Sequence, residues 1–142
     1  MRVVEGRHSY LLFHRNPRPD LGLPAFWQGV SGALEPGESF TAAALREVAE
    51  ETGIVLTSVS DSRFQHSYPI RAEWRPFYGP EPMEVKEQVF FAKVPVDVKP
   101  TLSKEHQSWR WCSVSEAAAL LTFGGNAGCL RAVEEAAAPR DG

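Results

Sequence analysis

Residues 32–54 read GALEPGESFTAAALREVAEETGI, which joins a glycine-containing loop to a segment with the features of a helix. Ser39 is a favourable N-cap residue, and residues 40–52 contain neither glycine nor proline. Gly53 can adopt the left-handed conformation that commonly follows the last helical residue. The stretch therefore predicts one helix over 40–52, closed by Gly53.

Three carboxylates share one face of this predicted helix. Glu47, Glu50 and Glu51 are spaced i, i+3 and i+4, which places them side by side. The opposite side, which we expect to dock on the core, carries Thr41, Leu45, Val48 and Thr52. Like charges repel one another, and a hard divalent cation with oxygen ligands would compensate them. The alternative interpretation is a solvated acidic face.

Length and composition indicate one domain with a hydrophobic core. The chain has 142 residues, of which 43% are hydrophobic and 23% are charged. No apolar run approaches the roughly 20 residues of a membrane span, and a signal-peptide pattern is missing, so we expect a cytoplasmic protein without a membrane partner. The net charge of -3 argues against polymeric nucleic acid as a partner. Cys112 and Cys129 are expected to be reduced thiols.

Hydrophobic runs and turn residues predict strands on both sides of the helix. The predicted strands cover 2–4, 9–15, 26–30, 54–59, 63–70, 85–96 and 108–111. Loops are expected at 16–24, 71–83 and 100–107. A second helix is capped by Ser113 or Ser115 and ends at Leu121, and a third covers 127–137. Because strands and helices do not alternate strictly, this order predicts the α/β class with a mixed sheet between helices.

The loop and helix of residues 32–54 together resemble the Nudix box. Every defined position of that motif is filled, by Gly32, Glu38, Arg46, Glu47, Val48, Glu50, Glu51, Gly53 and Ile54. The resemblance implies a Nudix-type α/β/α sandwich with a mixed β-sheet. It also implies hydrolysis of a nucleoside diphosphate linked to another group, with Mg²⁺ or Mn²⁺ bound by the box.

A narrower resemblance is to the dihydroneopterin triphosphate diphosphatase branch of that family. It rests on residues 26–28 (FWQ), 78–80 (YGP), 86–88 (KEQ), 105–106 (EH) and on Asn126. The chain departs from the branch in its short first strand and its longer 16–24 loop. The resemblance implies cleavage of a nucleoside or pterin triphosphate to the monophosphate and pyrophosphate. Two alternatives remain: hydrolysis of ADP-ribose, nucleotide sugars or dinucleoside polyphosphates, and a nucleotide-sensing module without catalysis.

The resemblance also assigns roles around the metal. Its ligands would be Glu47, Glu50, Glu51 and the backbone carbonyl of Ser31, with Glu38 holding metal-bound water. The catalytic set consists of Glu47, Glu105 and Arg46. Glu105 is the preferred general base, and Glu47 is the alternative. The other interpretation of Glu105 is an exposed loop carboxylate without a catalytic role. Arg46 is expected to anchor the preceding loop or to pair with Glu38 or Glu50.

Position in the chain suggests the residues that recognise substrate. The candidates for stacking and bonding a base or pterin are Trp27, Gln28, His66 and Tyr78, and those for holding terminal phosphates are Arg15 and Arg75. For His66 and Arg15, ordinary structural or solubility roles are the alternative. The resemblance is compatible with a monomer or a homodimer.

Overall fold

The elements of the computed structural model are ordered along the chain much as the sequence predicts. The structure describes residues 1–31, 34–69, 84–122 and 126–137. Within these ranges the strands are β1 (Arg2–Val4), β2 (Arg7–Arg15), β3 (Phe26–Gln28), β4 (Ser60–Pro69), β5 (Glu84–Phe91) and β6 (His106–Ser113). The helices are α1 (Phe40–Thr52), α2 (Val114–Leu120) and α3 (Asn126–Ala137).

Strand β2 is the centre of the larger sheet. It pairs with β1 and β3, and also with β6. Glu5 and Gly6, both with positive φ, make the tight turn that joins β1 to β2. Strands β4 and β5 form a second sheet. The α/β class is confirmed, but every strand pair among the described residues is antiparallel, so those residues contain no parallel pair of the expected mixed sheet.

Helix α1 has the predicted bounds and the predicted ends. The Ser39 hydroxyl accepts a hydrogen bond from the Ala42 N–H at 3.1 Å. Gly53 has φ +71° and donates its N–H to the Ala49 carbonyl. The predicted burial pattern is only partly right, because Glu51 is buried whereas Thr41 is exposed. One carboxylate of the acidic face therefore turns into the protein.

The segment after α1 is not the strand that the sequence predicts. Residues 54–59 form no strand, and the Val55 side chain is 83% exposed. The segment is instead tied to the helix end, since the Ile54 N–H donates to the Thr52 hydroxyl. The Thr52 carbonyl is engaged as well, by the N–H of Thr101 at 2.7 Å. Apolar character alone predicted a strand here, but the chain finds no strand partner in the described structure.

The end of β5 and the 16–24 segment also differ from the prediction. Strand β5 ends at Phe91, before the predicted end at 96, because Ala92 and Val94 hydrogen-bond to Met1. The 16–24 segment, predicted as a loop, contains a 3₁₀ turn at Pro19–Leu21 and a bridge between Arg18 and Leu23. Hydrogen bonds within this segment therefore define its shape.

The core lies between β2, β6 and the last two helices. Its buried cluster consists of Tyr10, Leu12, Cys112, Ala117, Leu121, Leu130 and Val133. Helix α2 begins with Ser113, the first of the two predicted caps, which forms a capping box with Glu116. Helix α3 is tied to β2 because Tyr10 donates a hydrogen bond to Glu134.

Both cysteines are free, as predicted. Burial raises the pKa of each thiol, and it raises that of Cys129 to about 11 with a contribution from the Glu87 carboxylate. Among the described residues, no helix is long and apolar enough to cross a membrane.

Candidate active site

Arg46 is the centre of a charge network at the start of the candidate site. Its guanidinium forms a bidentate pair with Glu38, with N–O distances of 2.8 and 2.9 Å. The same group donates to Glu47 at 2.7 Å and to Glu50 at 3.2 Å. A planar fork suits this arrangement because it meets two carboxylate oxygens at once. The pairing of Arg46 with Glu38 and Glu50, expected from the sequence, is confirmed.

Glu38 joins this network to the loop before α1. Its carboxylate also accepts a hydrogen bond from the backbone N–H of Glu35 at 3.0 Å. The Arg46 guanidinium, helped by this N–H, lowers the pKa of Glu38 to about 2. Glu38 is therefore ionised at neutral pH, and its observed partners are Arg46 and the loop. Its role in holding metal-bound water stays a prediction.

Glu51 is the most unusual side chain of the predicted metal set. It is 6% exposed, and its Oε2 atom has no hydrogen-bond partner in the described structure. Burial, followed by the nearby carboxylates of Glu105 and Glu47, raises the pKa of Glu51 to about 8. A hydrogen bond with the backbone of Ser31 acts in the opposite direction. Burying an ionised carboxylate whose oxygen has no hydrogen-bond partner raises the free energy of the folded state, unless a positive charge such as a cation compensates it.

These residues suit a divalent cation in their chemistry. Glu51, Glu47, Glu105 and the Ser31 backbone offer the hard oxygen atoms that Mg²⁺ prefers. Among the described residues, however, no group of three His, Cys, Asp or Glu side chains is already arranged to hold an ion. Glu47 is turned toward Arg46, and Glu50 is more than half exposed. A bound cation would therefore have to draw Glu47 away from Arg46 or share it.

Glu105 reaches Glu51 from a distant part of the chain. The Glu105 carboxylate is close enough to raise the pKa of Glu51, which places the segment before β6 beside the end of α1. The backbone N–H of Glu105 donates to the Ser103 hydroxyl at 3.3 Å, and the Glu105 carbonyl accepts from Asn16. The carboxylate predicted as the general base thus lies beside the predicted metal ligand.

A series of hydrogen-bonding contacts between polar side chains supports the segment that carries Glu105. The Gln28 amide contacts the His106 Nε2 atom at 3.2 Å, and the His106 Nδ1 atom contacts the Ser103 hydroxyl at 3.2 Å. Gln28 and His106 are both 5% exposed. Burial is the main cause that lowers the pKa of His106, which favours its neutral form. A neutral ring can accept from Gln28 and donate to Ser103.

The structure places Gln28 and Trp27 in different surroundings. The Gln28 side chain is buried against His106, and its role as a substrate contact stays a prediction. Trp27 is half-buried, packs against the core and stacks on the His14 ring at 4.9 Å between centroids. Because His14 stacks on the Trp27 ring, a ligand would have to use another part of the indole. Ligand stacking on Trp27 stays a prediction.

We expect Gln28→Leu to lower kcat about tenfold or more while leaving KM nearly unchanged. The substitution removes the amide donor to His106, which loosens the segment that holds Glu105, and small displacements of a catalytic group have effects of this size. Steady-state kinetics would measure both constants. Gln107→Leu is the matched control, because Gln107 is exposed. A rise in KM without a change in kcat would instead indicate that Gln28 contacts the substrate.

Of the remaining residues predicted to bind substrate, Arg15 is the one that the described structure places beside Glu105. Arg15 lines a cavity of about 190 Å³ that also includes Glu105. The His66 backbone pairs with Glu87 between β4 and β5, and nothing is described of its side chain. Arg75 and Tyr78 lie outside the described residues. Sequence reasoning identified Arg15 and Glu105 but did not predict that they meet.

Three residues around the site were missed, namely Arg18, Lys104 and His106. The sequence prediction places Arg18 in a loop, although the proline after it and the glycine at position 22 are signals of a defined turn. Lys104 and His106 flank Glu105 in the sequence, and that adjacency was the available signal.

Comparison with known proteins identifies the class to which this fold and carboxylate cluster belong. Residues 1–132 match the sequence model of the NUDIX domain. The chain therefore belongs to the NUDIX family. Its residue pattern at 32–54 and its α/β fold agree with that membership.

Several relatives have established names. A dihydroneopterin triphosphate diphosphatase of Haemophilus influenzae is 30% identical over 85% of this chain and 75% of its own length. An asymmetrical bis(5'-nucleosyl)-tetraphosphatase of Caenorhabditis elegans is 31% identical over 92% of this chain and 86% of its own. The structure of the E. coli dihydroneopterin triphosphate pyrophosphohydrolase superposes with a TM-score of 0.74 at 27% identity, covering 92% of this chain and 88% of that one. The family and these names indicate an enzyme that acts on phosphoanhydrides.

One further relative is similar over only part of its length. An octanoyltransferase of Myxococcus xanthus is 38% identical over 87% of this chain, but the match spans 32% of that protein. The similarity thus concerns about a third of the octanoyltransferase.

Proposed function

We propose that this chain is a metal-dependent pyrophosphohydrolase that cleaves a nucleoside or pterin triphosphate to the monophosphate and pyrophosphate. The observation that carries the proposal is the buried Glu51 carboxylate, which has a bare oxygen beside Glu47 and Glu105. The names of the dihydroneopterin triphosphate relatives support the substrate class. Dihydroneopterin triphosphate and deoxynucleoside triphosphates are the substrates that we put first.

Hydrolysis of a phosphoanhydride needs charge neutralisation, an in-line water and a proton acceptor. When bound, Mg²⁺ would neutralise charge on the phosphate oxygens, and Mn²⁺ would serve equally. Glu51, Glu47 and the Ser31 carbonyl are its proposed ligands, with Glu50 next in line. Arg46 is proposed to hold the loop and the helix together, since its guanidinium pairs with Glu35 and Glu38 before the helix and with Glu47 and Glu50 on it.

Glu105 is the proposed general base. It is exposed, lies close enough to Glu51 to raise the pKa of that carboxyl, and is held by the hydrogen bond of its N–H to the Ser103 hydroxyl. Burial raises the pKa of Glu47, but Glu47 is the weaker candidate because its carboxylate already accepts a charge-assisted hydrogen bond from Arg46, which would have to break before it could take a proton from water. The pH dependence of kcat in Glu105→Gln and Glu47→Gln would separate the two assignments, since only loss of the base removes the acidic limb of the profile.

A second candidate function is hydrolysis of dinucleoside polyphosphates or other nucleoside diphosphate compounds such as ADP-ribose and nucleotide sugars. The tetraphosphatase relative, with its coverage of 92% of this chain, favours the dinucleoside polyphosphates among these. A non-catalytic nucleotide sensor is disfavoured because each box glutamate is present. We further propose a single cytoplasmic domain that works as a monomer or a homodimer.

The products of a substrate panel test the proposal. We expect pyrophosphate and a monophosphate from dihydroneopterin triphosphate or a deoxynucleoside triphosphate, with turnover only when Mg²⁺ or Mn²⁺ is added. Anion-exchange chromatography of the products would measure the outcome for triphosphates, ADP-ribose, nucleotide sugars and diadenosine tetraphosphate. Two mononucleotide products from a dinucleotide, without pyrophosphate release from any triphosphate, would favour the second candidate. Tight binding of a nucleotide without any turnover would favour the sensor.

A further inference from the structure

A small cationic cavity lies beside Glu105. It has a volume of about 190 Å³ and is lined by Arg15, Asn16, Arg18, Lys104 and Glu105. Three of its five lining side chains are therefore basic, although the chain as a whole carries a net charge of -3. Arg15 is already a candidate phosphate contact, whereas Arg18 and Lys104 have no role in the site described above.

Two loops are joined to make this cavity. The Asn16 side-chain amide donates to the Lys104 carbonyl at 2.8 Å, and the Asn16 N–H donates to the Glu105 carbonyl at 2.8 Å. Arg18 is held in turn by a pair of backbone hydrogen bonds with Leu23, of 2.9 and 3.0 Å. Hydrogen bonds to the backbone thus hold the two loops that line the cavity, and they form without a ligand.

The charges of the cavity are only partly balanced. The Arg18 guanidinium makes two hydrogen bonds to the Asp20 carboxylate, at 2.7 and 3.0 Å. In the described part of the chain, neither the Arg15 nor the Lys104 side chain forms an ion pair, and the charge of the Glu105 carboxylate acts on both Arg18 and Glu51. Basic groups that converge on a concave surface raise the local concentration of anions. The cavity therefore suits an anionic group.

We propose that Arg18 and Lys104, together with Arg15, form a subsite for the distal phosphates of a polyphosphate chain. This inference rests on the proposed function and narrows its substrate class. The Glu105 carboxylate links Glu51, at the proposed metal, to the cavity. A polyphosphate that begins at the metal and runs past Glu105 places its next phosphates among the three basic side chains. The subsite therefore favours substrates with three or more consecutive phosphates.

Diphosphate-linked substrates use the cavity poorly. A sugar joined through two phosphates would place an uncharged group among the basic side chains, which leaves Arg15 and Lys104 without an anion. A charge-assisted phosphate contact would be lost in that case. The 16–24 segment, longer than expected for the pterin branch, acquires a function here because it supplies Arg18.

Binding of inorganic tripolyphosphate to the metal-free protein tests the subsite without requiring turnover. We expect isothermal titration calorimetry to show that the wild type binds tripolyphosphate. The affinity of Lys104→Ala should be about tenfold lower, because the variant loses one hydrogen bond between a charged side chain and a phosphate. Asp20→Asn should bind a few-fold more tightly, because it releases Arg18 from its internal carboxylate. Lys93→Ala is the matched control, since Lys93 is exposed and outside the cavity.

Several outcomes would overturn the subsite. Unchanged affinity in Lys104→Ala would do so, and so would an equal loss in Lys104→Ala and Lys93→Ala, because the effect would then come from net charge alone. The result is separable from the proposed function. Tripolyphosphate binding that depends on Lys104 would stand even if no triphosphate were hydrolysed, whereas triphosphate hydrolysis with an unchanged KM in Lys104→Ala would retain the function and exclude the subsite.

Discussion

Glu51→Gln is expected to abolish metal-dependent turnover while making the metal-free protein more stable. The substitution keeps the size of the side chain but removes the carboxylate that we propose as a metal ligand. A metal contributes several kcal/mol of transition-state stabilisation, so we expect kcat to fall about 10³-fold. The gain in stability arises because glutamine is uncharged in the place where burial and two carboxylates oppose a negative charge.

The pH dependence of stability gives this prediction a second readout. The ordinary pKa of 4.5 applies to the unfolded chain, whereas the folded protein raises the Glu51 pKa to about 8. The folded state therefore binds this proton more tightly, and metal-free stability should fall as the pH rises from about 4.5 to about 8. Glu51→Gln should lack that decline. Added Mg²⁺ should raise the melting temperature of the wild type most at the alkaline end, where the carboxylate is ionised.

Thermal melts in EDTA and in Mg²⁺, at several pH values, would measure these effects. Glu135→Gln is the matched control, because Glu135 is exposed on α3 and is not one of the proposed metal ligands. Its melting temperature should change little, and its turnover should fall much less than that of Glu51→Gln. If Glu51→Gln retained turnover or its melting temperature still rose with Mg²⁺, Glu51 would not be a metal ligand.

Arg46→Ala is expected to reduce turnover about 100-fold and to lower the melting temperature. The guanidinium contacts Glu38 in the loop and Glu47 on the helix, so its loss separates the loop from α1. It also leaves the carboxylates of Glu38, Glu47 and Glu50 close together without their common cation. Loss of a group that orients a metal ligand typically costs ten- to a hundredfold in activity or metal affinity.

Arg46→Lys should fall between the wild type and Arg46→Ala. Lysine keeps the charge but cannot make the bidentate pair with Glu38 while reaching Glu47. The half-saturating Mg²⁺ concentration and kcat would be measured for both variants. Arg110→Ala is the matched control, since Arg110 forms an exposed pair with Glu116 outside this site. If Arg46→Ala were as mild as Arg110→Ala, the network would contribute nothing to the site.

The sequence was most informative where structure depends on neighbours along the chain. The bounds of α1 follow from Ser39, from the absence of glycine and proline at 40–52 and from Gly53, and each of these acts within a few residues. The same local spacing identified the Nudix box and the pairing of Arg46 with Glu50. Residues 54–59 show the limit of this reasoning, because a strand needs a partner that apolar composition cannot supply.

The composition of the candidate site depends on contacts between distant segments. Periodicity placed Glu51 on a charged face, but only the packing of α1 against the segment that carries Glu105 buries it and leaves one of its oxygen atoms bare. Gln28 is separated from His106 by most of the domain in sequence, so its buried contact could not be read from spacing. The sequence by itself determined the motif, its helix and the identity of its carboxylates. The tertiary structure alone decided which carboxylate is desolvated and which basic side chains line a cavity with Glu105, because desolvation and charge proximity depend on three-dimensional distances.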